Sequence, residues 1–210
     1  LSFLKKYEIL YKLQFGFREN YSTYMALTYL MDNIIKSIEN GNYVLGVFLD
    51  FSKAFDTVNH EILFDKLEFY GIRGIAKQWI KSYLTDRTQF VTYNNATSDK
   101  LKIKCGVPQG SILGPLLFLI YVNDLAYVSE DLFTMMFADD TNIFVTGNDL
   151  KLLENNMNNE LKKLVSWLHA NKLSLNVKKT HYMIFCPNKK SASDLSINIS
   201  NEKIEHAYET

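Results

Sequence analysis

The sequence predicts an α+β fold, in which helices pack against an antiparallel sheet. Apolar runs of strand length occur among longer segments of helical periodicity, and no regular strand–helix–strand repeat relates them. Several neighbouring strands are joined by tight turns, which is typical of antiparallel hairpins. The chain has 210 residues, of which 47% are hydrophobic and 22% are charged. This is enough for one globular core.

The first long element is predicted to be a helix that Ser22 caps and that ends at Gly41, where a left-handed residue belongs. Its apolar stripe is expected to pack on the core and consists of Leu27, Leu30, Met31, Ile34, Ile35 and Ile38. The continuous apolar run "YVLGVFLD", Tyr43–Asp50, then predicts a buried strand that ends in an acid.

Two helices are predicted after this strand. The helix in "HEILFDKLEFYG" ends at Gly71, and the apolar face of the helix in "IAKQWIKSYLTD" is Ile75, Trp79, Ile80 and Leu84. A hairpin follows, with "TQFVTYNN" and "KLKIKCG" as strands and Asn94–Asn95 as the turn. The glycines and prolines of "GVPQGSILGP" predict a loop, and Pro115 suits the first turn of the next helix.

The last third begins with "TMMFADDTNIFV", Thr134–Val145, which predicts two short strands around a tight turn. Asp149 is expected to cap a long helix whose apolar face is Leu153, Met157, Leu161, Leu164 and Leu168. Short strands are predicted in "KLSLNV", "HYMIFC" and "LSINIS". Cys105 and Cys186 lack metal-ligand spacing, so we expect two reduced, half-buried thiols; the alternative is a single disulfide.

Composition excludes some kinds of protein. The longest apolar run, Leu116–Val122, is far shorter than the roughly 20 residues of a membrane span, and no secretory leader is recognised. The chain begins with leucine, so we expect it to be a fragment. Its 23 basic and 23 acidic residues balance. Any binding of nucleic acid must therefore come from local clusters such as Lys100–Lys104 and Asn176–Thr180.

Three carboxylates are candidates for a metal site. Asp50 ends a strand, while Asp139 and Asp140 occupy the turn after another. If these strands are neighbours, like charges about 4 Å apart repel by roughly 4 kcal/mol at an effective dielectric near 20, and this repulsion favours a bound cation. Hard oxygen ligands without nearby His or Cys suit Mg²⁺ or Mn²⁺. The alternative is that "ADDT" is ordinary turn chemistry.

Four motifs in order carry a family resemblance: "FLDFSKAFDTVNHEIL", "GVPQGSILGPLLFLIYVNDL", "FADDTNIF" and "LSLNVKKTHYMIF". Together with "QFGFRENYST" and "WIKSYLTDRTQFV" they resemble the reverse transcriptase of a non-LTR (LINE-type) retrotransposon of the jockey-like branch. The resemblance covers nearly the whole chain. It implies a single domain fragment, 1–210, with a polymerase palm at 43–71 and 106–210. Segments 1–42 and about 72–105 would be fingers-like or connecting, and the thumb would be absent.

The resemblance also implies catalytic residues. Asp50, Asp139 and Asp140 would bind two Mg²⁺ ions, with Mn²⁺ as an alternative, and Asp50 and Asp139 would be the more essential ligands. Lys179 would neutralise charge or donate a proton at the leaving pyrophosphate, unless it is a surface lysine. Asp56, the second acid of "DFSKAFD", is expected to have a structural role through capping or hydrogen bonding.

Substrate contacts are implied in the same way. Phe55 matches an aromatic residue beneath the incoming sugar that excludes a 2′-hydroxyl; the alternative is a core residue. Backbone amides around Phe51 and Ser52 would hold the triphosphate. Gln109 and Gly110, together with Gly106, belong to a loop that contacts nucleotide and template, unless it merely leads into a helix. Arg18 would touch template or triphosphate.

The function expected from the resemblance is RNA-directed DNA polymerase, a nucleotidyltransferase. Its partners would be an RNA template, a DNA primer and dNTP, with no membrane, in the nucleus and in cytoplasmic ribonucleoprotein. The family's upstream "RPISL"-type finger motif and its primer grip are not found, so activity of this chain alone is left open. One alternative is a catalytically inert or co-opted RNA-binding fragment. Another is a palm polymerase such as an intron maturase, although the "GVPQGSILGPLLFLIYVNDL" wording argues against it.

Overall fold

A computed structural model describes residues 2–187 and 194–207. Within these ranges the α-helices are α1 (Ser2–Lys6), α2 (Thr23–Glu39), α3 (His60–Phe69), α4 (Gly74–Leu84), α5 (Leu113–Val122) and α6 (Leu150–Ala170). The β-strands are β1 (Tyr43–Leu49), β2 (Thr88–Gln89), β3 (Thr92–Tyr93), β4 (Ala96–Thr97), β5 (Leu101–Lys102), β6 (Phe133–Phe137), β7 (Asp140–Gly147), β8 (His181–Phe185), β9 (Asn198–Ile199), β10 (Glu202–Lys203) and β11 (Glu205–His206).

The chain divides into two compact units. The first unit consists of Leu1–Ser52 and Asn123–Thr210, and the second is Lys53–Val122. The boundaries of these units differ from the predicted boundaries between fingers and palm. The assignment of segments to fingers and palm stays a prediction. Residues 188–193 and 208–210 of the predicted palm lie outside the described residues.

The first unit is built on a five-stranded sheet with the strand order β11-β8-β1-β7-β6. Strand β1 pairs antiparallel with both β7 and β8, and β6 pairs antiparallel with β7. Among these described strands, only β11 at the edge runs parallel to its neighbour, β8. The predicted α+β fold with helices and a largely antiparallel sheet is therefore confirmed.

Helix α6 packs on this sheet as predicted. Asp149 caps it, since its Oδ1 accepts hydrogen bonds from the amides of Lys151 and Leu152 at 2.8 and 3.1 Å. All five apolar residues of the predicted face are buried, and α6 contacts β7, β1 and β9. Strand β1 lies in the middle of the sheet, where Gly46 leaves room for the ring of Phe144: a Cβ at Gly46 would lie 2.6 Å from this ring.

Helix α2 begins and ends where the sequence predicts, but only part of its predicted apolar face is buried. The hydroxyl of Ser22 accepts from the amide of Met25, and Gly41 has φ +77°. Ala26, Leu30 and Ile34 are buried, whereas half of the predicted stripe, Leu27, Met31 and Ile35, is exposed. Both of these adjacent faces of α2 are apolar, and the sheet covers the face that begins with the small residue Ala26.

In the second unit, α3 packs on both α4 and α5. Asn59 caps α3 through a hydrogen bond from the amide of Ile62, and Gly71 follows the helix with φ +84°. The predicted packing of α4 is confirmed only in part, because Ile75 and Trp79 are 85% and 57% exposed. Ile80 is half-buried and Leu84 at the end of α4 is buried, so the second half of the predicted face packs.

The predicted hairpin is confirmed. Strand β2 pairs with β5 and β3 pairs with β4, while Asn94 and Asn95 both have positive φ, as a two-residue type I′ turn requires. Pro115 lies in the first turn of α5, as expected. The cysteines are free thiols; Cys186 is half-buried, but Cys105 is exposed.

The C-terminal strand predictions are mixed. His181–Phe185 forms β8, and only Asn198–Ile199 of "LSINIS" pairs as a strand. The segment "KLSLNV" is not a strand, since it makes a single bridge from Leu175 to Phe51 and then enters the 3₁₀ turn Val177–Lys179. Among the described helices, none combines the length and the apolar character that crossing a membrane requires.

Candidate functional site

The hairpin of β6 and β7 carries two of the predicted acids. Phe137 pairs with Asp140, so Ala138 and Asp139 form a two-residue loop. Ala138 has φ +59°, which is uncommon for a residue with a side chain. Asp139 thus lies in the loop itself, and Asp140 is the first residue of β7.

The register between β1 and β7 places Asp50 at the same edge of the sheet. The last pair of this ladder is Leu49 with Thr141. The next residue on each strand is an acid, Asp50 on one and Asp140 on the other. Two sequence positions that are 90 residues apart in the chain therefore meet at one edge of the sheet.

The charges of Asp139 and Asp50 act on the carboxyl group of Asp140. The pKa of Asp140 is raised, first by partial burial and then by the negative charges of Asp139 and Asp50. In the described part of the chain, however, no three acidic, His or Cys side chains already converge as a metal cluster. The donor set of carboxylate oxygens suits a hard divalent cation, which would relieve this repulsion.

The main chain of Asp50 is held by the segment that follows α6. Its carbonyl accepts from the amide of Asn176 at 2.8 Å, and its amide donates to Oγ1 of Thr180 at 3.3 Å. The fully buried Thr180 also donates through Oγ1 to the carbonyl of Asn176 at 3.1 Å. The sequence reasoning missed both residues; the available signal was their place within the motif "LSLNVKKTHYMIF".

Lys179 belongs to the same segment as Asn176 and Thr180. It ends the 3₁₀ turn and is exposed. A cavity of about 410 Å³ is lined by Asp50, Asp140 and Lys179, together with Asn142 and apolar side chains of α2, β1 and β6. A lysine and two of the three predicted acids therefore share one cavity.

The other predicted contacts in the first unit have partners within the protein. Phe51 is buried, and the amide of Ser52 donates to the carbonyl of Ser174 at 2.9 Å, so this amide is engaged. Nη1 of Arg18 donates to the carbonyls of Tyr11 and Gln14 at 3.0 and 3.1 Å. Its guanidinium also lies over the ring of Tyr21, 4.1 Å from the centroid. The predicted roles of these residues toward triphosphate or template stay predictions.

In the second unit, Phe55 is half-buried against Phe118, with ring centroids 4.5 Å apart and planes inclined by 32°. The neighbouring Asp56 is a hydrogen-bonding acid: Nε2 of Gln109 donates to its Oδ1 at 2.8 Å. Asp56 does not cap α3, since Asn59 does. The predicted structural acid and the predicted nucleotide contact are thus partners.

The two glycines of the "GVPQGS" loop differ in their surroundings. Gly106 has φ +87°, and a Cβ there would lie 2.8 Å from the carbonyl oxygen of Asp56. Its own carbonyl accepts from Nε2 of His60 at 2.8 Å. Gly110 has φ +77°, and apart from Gly110 and its two chain neighbours no atom of the described residues lies within 4 Å of a Cβ built there. Close approach at Gly106 is therefore to the protein itself, and the open position is Gly110.

A second cavity, of about 690 Å³, lies between the hairpin and this loop. Four of the described side chains that line it are cationic: Lys53, Arg87, Lys102 and Lys104. Asp56, Gln109 and Cys105 also line it. We call this cavity the basic groove. It contains two lysines of the predicted basic cluster Lys100–Lys104.

Comparison with known proteins adds sequence relatives. The family model described as reverse transcriptase (RNA-dependent DNA polymerase) matches residues 2–206. The probable RNA-directed DNA polymerase from transposon BS of Drosophila melanogaster is 32% identical over 180 residues, 80% of this chain and 19% of the relative. The RNA-directed DNA polymerase from mobile element jockey of the same species is 29% identical over 197 residues, which are 89% of this chain and 21% of that relative. The jockey-like resemblance of the motifs is confirmed. The chain spans about a fifth of each of these relatives.

Solved structures show the same fold. Telomerase from Candida albicans, in complex with a TWJ fragment of telomeric RNA, superposes with a TM-score of 0.63 at 14% identity, over 95% of this chain and 36% of that chain. Apo telomerase from Candida tropicalis, truncated from its C-terminal domain, gives a TM-score of 0.60 at 16% identity. The match covers 82% of this chain and 36% of that chain. At these identities the likeness concerns the fold alone.

Proposed function

Because the chain belongs to the reverse transcriptase (RNA-dependent DNA polymerase) family, we propose that it forms the palm and part of the fingers of a retrotransposon polymerase. The reaction is nucleotidyl transfer: the 3′-hydroxyl of a primer attacks the α-phosphate of a dNTP, and pyrophosphate leaves. One observation carries this proposal. The ladder that ends at Leu49 and Thr141 brings Asp50 to the same edge as Asp139 and Asp140.

Divalent metal use is general in this family, and the acids at this edge are the candidate ligands. Asp50, Asp139 and Asp140 would hold two Mg²⁺ ions, or Mn²⁺ in their place, since all three offer only hard oxygen donors. Bound ions would supply charge neutralisation at the phosphates and a lower pKa for the attacking hydroxyl. The pKa of Asp140 is raised by partial burial and then by the charges of Asp139 and Asp50, and this charge repulsion supports the assignment because a cation would remove it.

The other residues position substrate and stabilise charge. The ammonium of Lys179, in the same cavity as Asp50 and Asp140, would neutralise or protonate the departing pyrophosphate. Phe55 would exclude a 2′-hydroxyl through its ring, which Phe118 holds on one side. Gln109, oriented by Asp56, would bond the sugar or base, and Gly110 would allow the close approach of nucleotide or template.

Binding of an RNA template and a DNA primer is part of the same proposal. The chain is neutral overall, so phosphate contacts must come from local charge. The basic groove offers four cations, and Asp56 is the one acid among the described side chains that line it. This arrangement supports a polyanionic partner on the second unit.

The alternative function is a catalytically inert fragment that binds RNA. Calorimetry of dNTP binding with and without Mg²⁺ separates the two. We expect Mg²⁺-dependent dNTP binding by the wild-type protein and its loss in Asp50→Ala. The control is Asp32→Ala, which removes an exposed acid of α2. RNA binding without any Mg²⁺-dependent dNTP binding by the wild-type protein would favour the inert fragment.

A further inference from the structure

The loop that carries Asp139 has an unfavourable backbone conformation. Ala138 has φ +59°, where the Cβ of an L-residue meets the neighbouring backbone. Such conformations persist only when the surrounding structure enforces them, and they are frequent at functional sites. Some other part of the protein must therefore hold Ala138 in place.

One side chain binds both polar groups of the Ala138 backbone. Oε1 of Gln14 accepts from the amide of Ala138 at 3.0 Å, and Nε2 of Gln14 donates to the carbonyl of Ala138 at 3.3 Å. The same Oε1 accepts from the amide of Gly16 at 2.8 Å. Gln14 is only 2% exposed, so water does not compete for these bonds. Because two amides donate to one end of the side chain, that end must be its oxygen.

The main chain of the same segment is pressed against β6 and the loop. The amide of Phe15 donates to the carbonyl of Met136 at 2.8 Å, and the amide of Met136 donates to that of Leu13 at 3.0 Å. A Cβ at Gly16 would lie 2.0 Å from the nitrogen of Ala138. Residue 16 must therefore be glycine for the segment to reach the loop at all.

Arg18 fixes this segment from its other side. Its Nη1 donates to the carbonyl of Gln14 and to that of Tyr11, so the backbone that presents the Gln14 amide is itself held. The hydroxyl of Tyr11 in turn donates to the carbonyl of Thr134 in β6 at 3.0 Å. These bonds tie residues 11–18 to the strand that leads into the loop.

We propose that Gln14 is a positioning residue of the polymerase site: it clamps Ala138 in its left-handed conformation and so presents Asp139 and Asp140 together beside Asp50. This inference rests on the proposed metal-binding role of the three acids. Gln14 itself would touch neither metal nor substrate. Its action passes through the backbone of Ala138.

The first test is cation binding, with Mn²⁺ as the probe and electron paramagnetic resonance as the readout. We expect Gln14→Leu to weaken Mn²⁺ binding at least tenfold, in the range that is usual when a ligand loses its supporting hydrogen bonds. The control is Phe15→Leu, which perturbs the core cluster of the same segment without a side-chain bond to the loop. Unchanged Mn²⁺ affinity in Gln14→Leu, or an equal loss in Phe15→Leu, would overturn the proposal.

A second variant tests the clamp directly. Glycine adopts positive φ without a steric penalty, so Ala138→Gly should remove the conformational strain at this position of the loop. In the Gln14→Leu background, Ala138→Gly should restore most of the Mn²⁺ affinity; no recovery would count against a clamp on Ala138. If Gln14→Leu does not fold, Gln14→Glu replaces it, because it keeps the shape but sets an acceptor against the carbonyl of Ala138.

Hydrogen exchange separates this inference from the proposed function. The amides of Ala138 and Gly16 should exchange at least tenfold faster in Gln14→Leu than in Phe15→Leu, without any metal present. Equal exchange rates would refute the clamp. If the wild-type protein binds no Mn²⁺ that Asp139→Asn removes, the metal site fails while the exchange result still decides the role of Gln14.

Discussion

Leu49 and Thr141 form the last pair between β1 and β7, and an acid lies next to each of them beyond the end of this ladder. Asp50 follows Leu49 in the chain, and Asp140 precedes Thr141. The pair therefore ends a ladder whose continuation is Asp50 beside Asp140. Such an arrangement costs stability when no cation is present, because like charges at one edge repel.

The first prediction concerns this cost. Asp140→Asn should raise the melting temperature of the metal-free protein at pH 7, because burial, Asp139 and Asp50 raise the pKa of Asp140 and so disfavour its charged form. A raised pKa means that the folded protein loses stability as the pH rises through that value. The gain from the variant should therefore vanish below about pH 3.9, where the unfolded acid is also protonated.

Melting curves in the presence of EDTA at pH 7 and about pH 3, below the ordinary pKa of an aspartic acid, measure this difference. Asp32→Asn, an exposed acid on α2, is the control and should leave the melting temperature unchanged. A lower melting temperature for Asp140→Asn than for the wild-type protein at pH 7 would show that its carboxylate is stabilised rather than repelled.

The second prediction concerns the bond from Gln109 to Asp56. Asp56→Ala should weaken dNTP binding about tenfold, equivalent to ~1.4 kcal/mol, because the side chain of Gln109 loses the acceptor that orients it. Asp56→Asn is the matched control, since its amide oxygen still accepts from Nε2. Titration calorimetry with Mg²⁺ and dNTP gives both affinities. Equal affinities for Asp56→Ala and the wild-type protein would remove Gln109 from the nucleotide site or show that it needs no support.

The third prediction is a change of sugar selection. Phe55→Ala should allow incorporation of rNTP in primer extension and lower the discrimination between dNTP and rNTP at least tenfold, because the variant removes the ring that we propose excludes the 2′-hydroxyl. Phe55→Leu is the control for volume. Both variants also remove part of the packing on Phe118, which is expected to cost about 1–3 kcal/mol of unfolding free energy. Unchanged discrimination in Phe55→Ala would leave packing on Phe118 as its role.

The fourth prediction concerns the basic groove. Lys102→Gln and Lys104→Gln together should weaken RNA binding and lower the slope of log affinity against log salt, by about one for each lysine that binds a phosphate in the wild-type protein. Lys36→Gln on α2 is the control for net charge. Filter binding between roughly 50 and 200 mM salt is sufficient for the comparison. An unaltered slope would mean that these lysines do not meet phosphate.

Local patterns were sufficient to predict most elements from the sequence. The cap at Asp149 and the face of α6, the Asn94–Asn95 turn and the two strands around "ADD" are all set by neighbours within a few residues. These features follow from periodicity and turn chemistry, which a sequence displays directly.

The errors arise where distant segments meet. Helix α2 carries apolar residues on two adjacent faces, one with Ala26 and one with Leu27, and periodicity alone does not distinguish them. Packing on the sheet determines that Ala26 is buried and Leu27 is exposed. The exposure of Trp79 on α4 depends on which elements lie nearby. The clamp is a stronger case: Gln14 and Ala138 are 124 residues apart, and neither residue type signals the bond. The three acids could be proposed from the sequence because each belongs to a short local motif, and their role as metal ligands stays a prediction.

The exposed thiol of Cys105 in the wall of the basic groove has a practical consequence. A maleimide fluorophore attached there, in a Cys186→Ser background, would sit among the cations while leaving every one of them in place. If the basic groove binds an oligonucleotide, as we propose, the emission of this fluorophore should change when the oligonucleotide binds and when it dissociates. Cys105 is therefore a natural labelling position for measuring oligonucleotide binding to the basic groove by stopped-flow fluorescence.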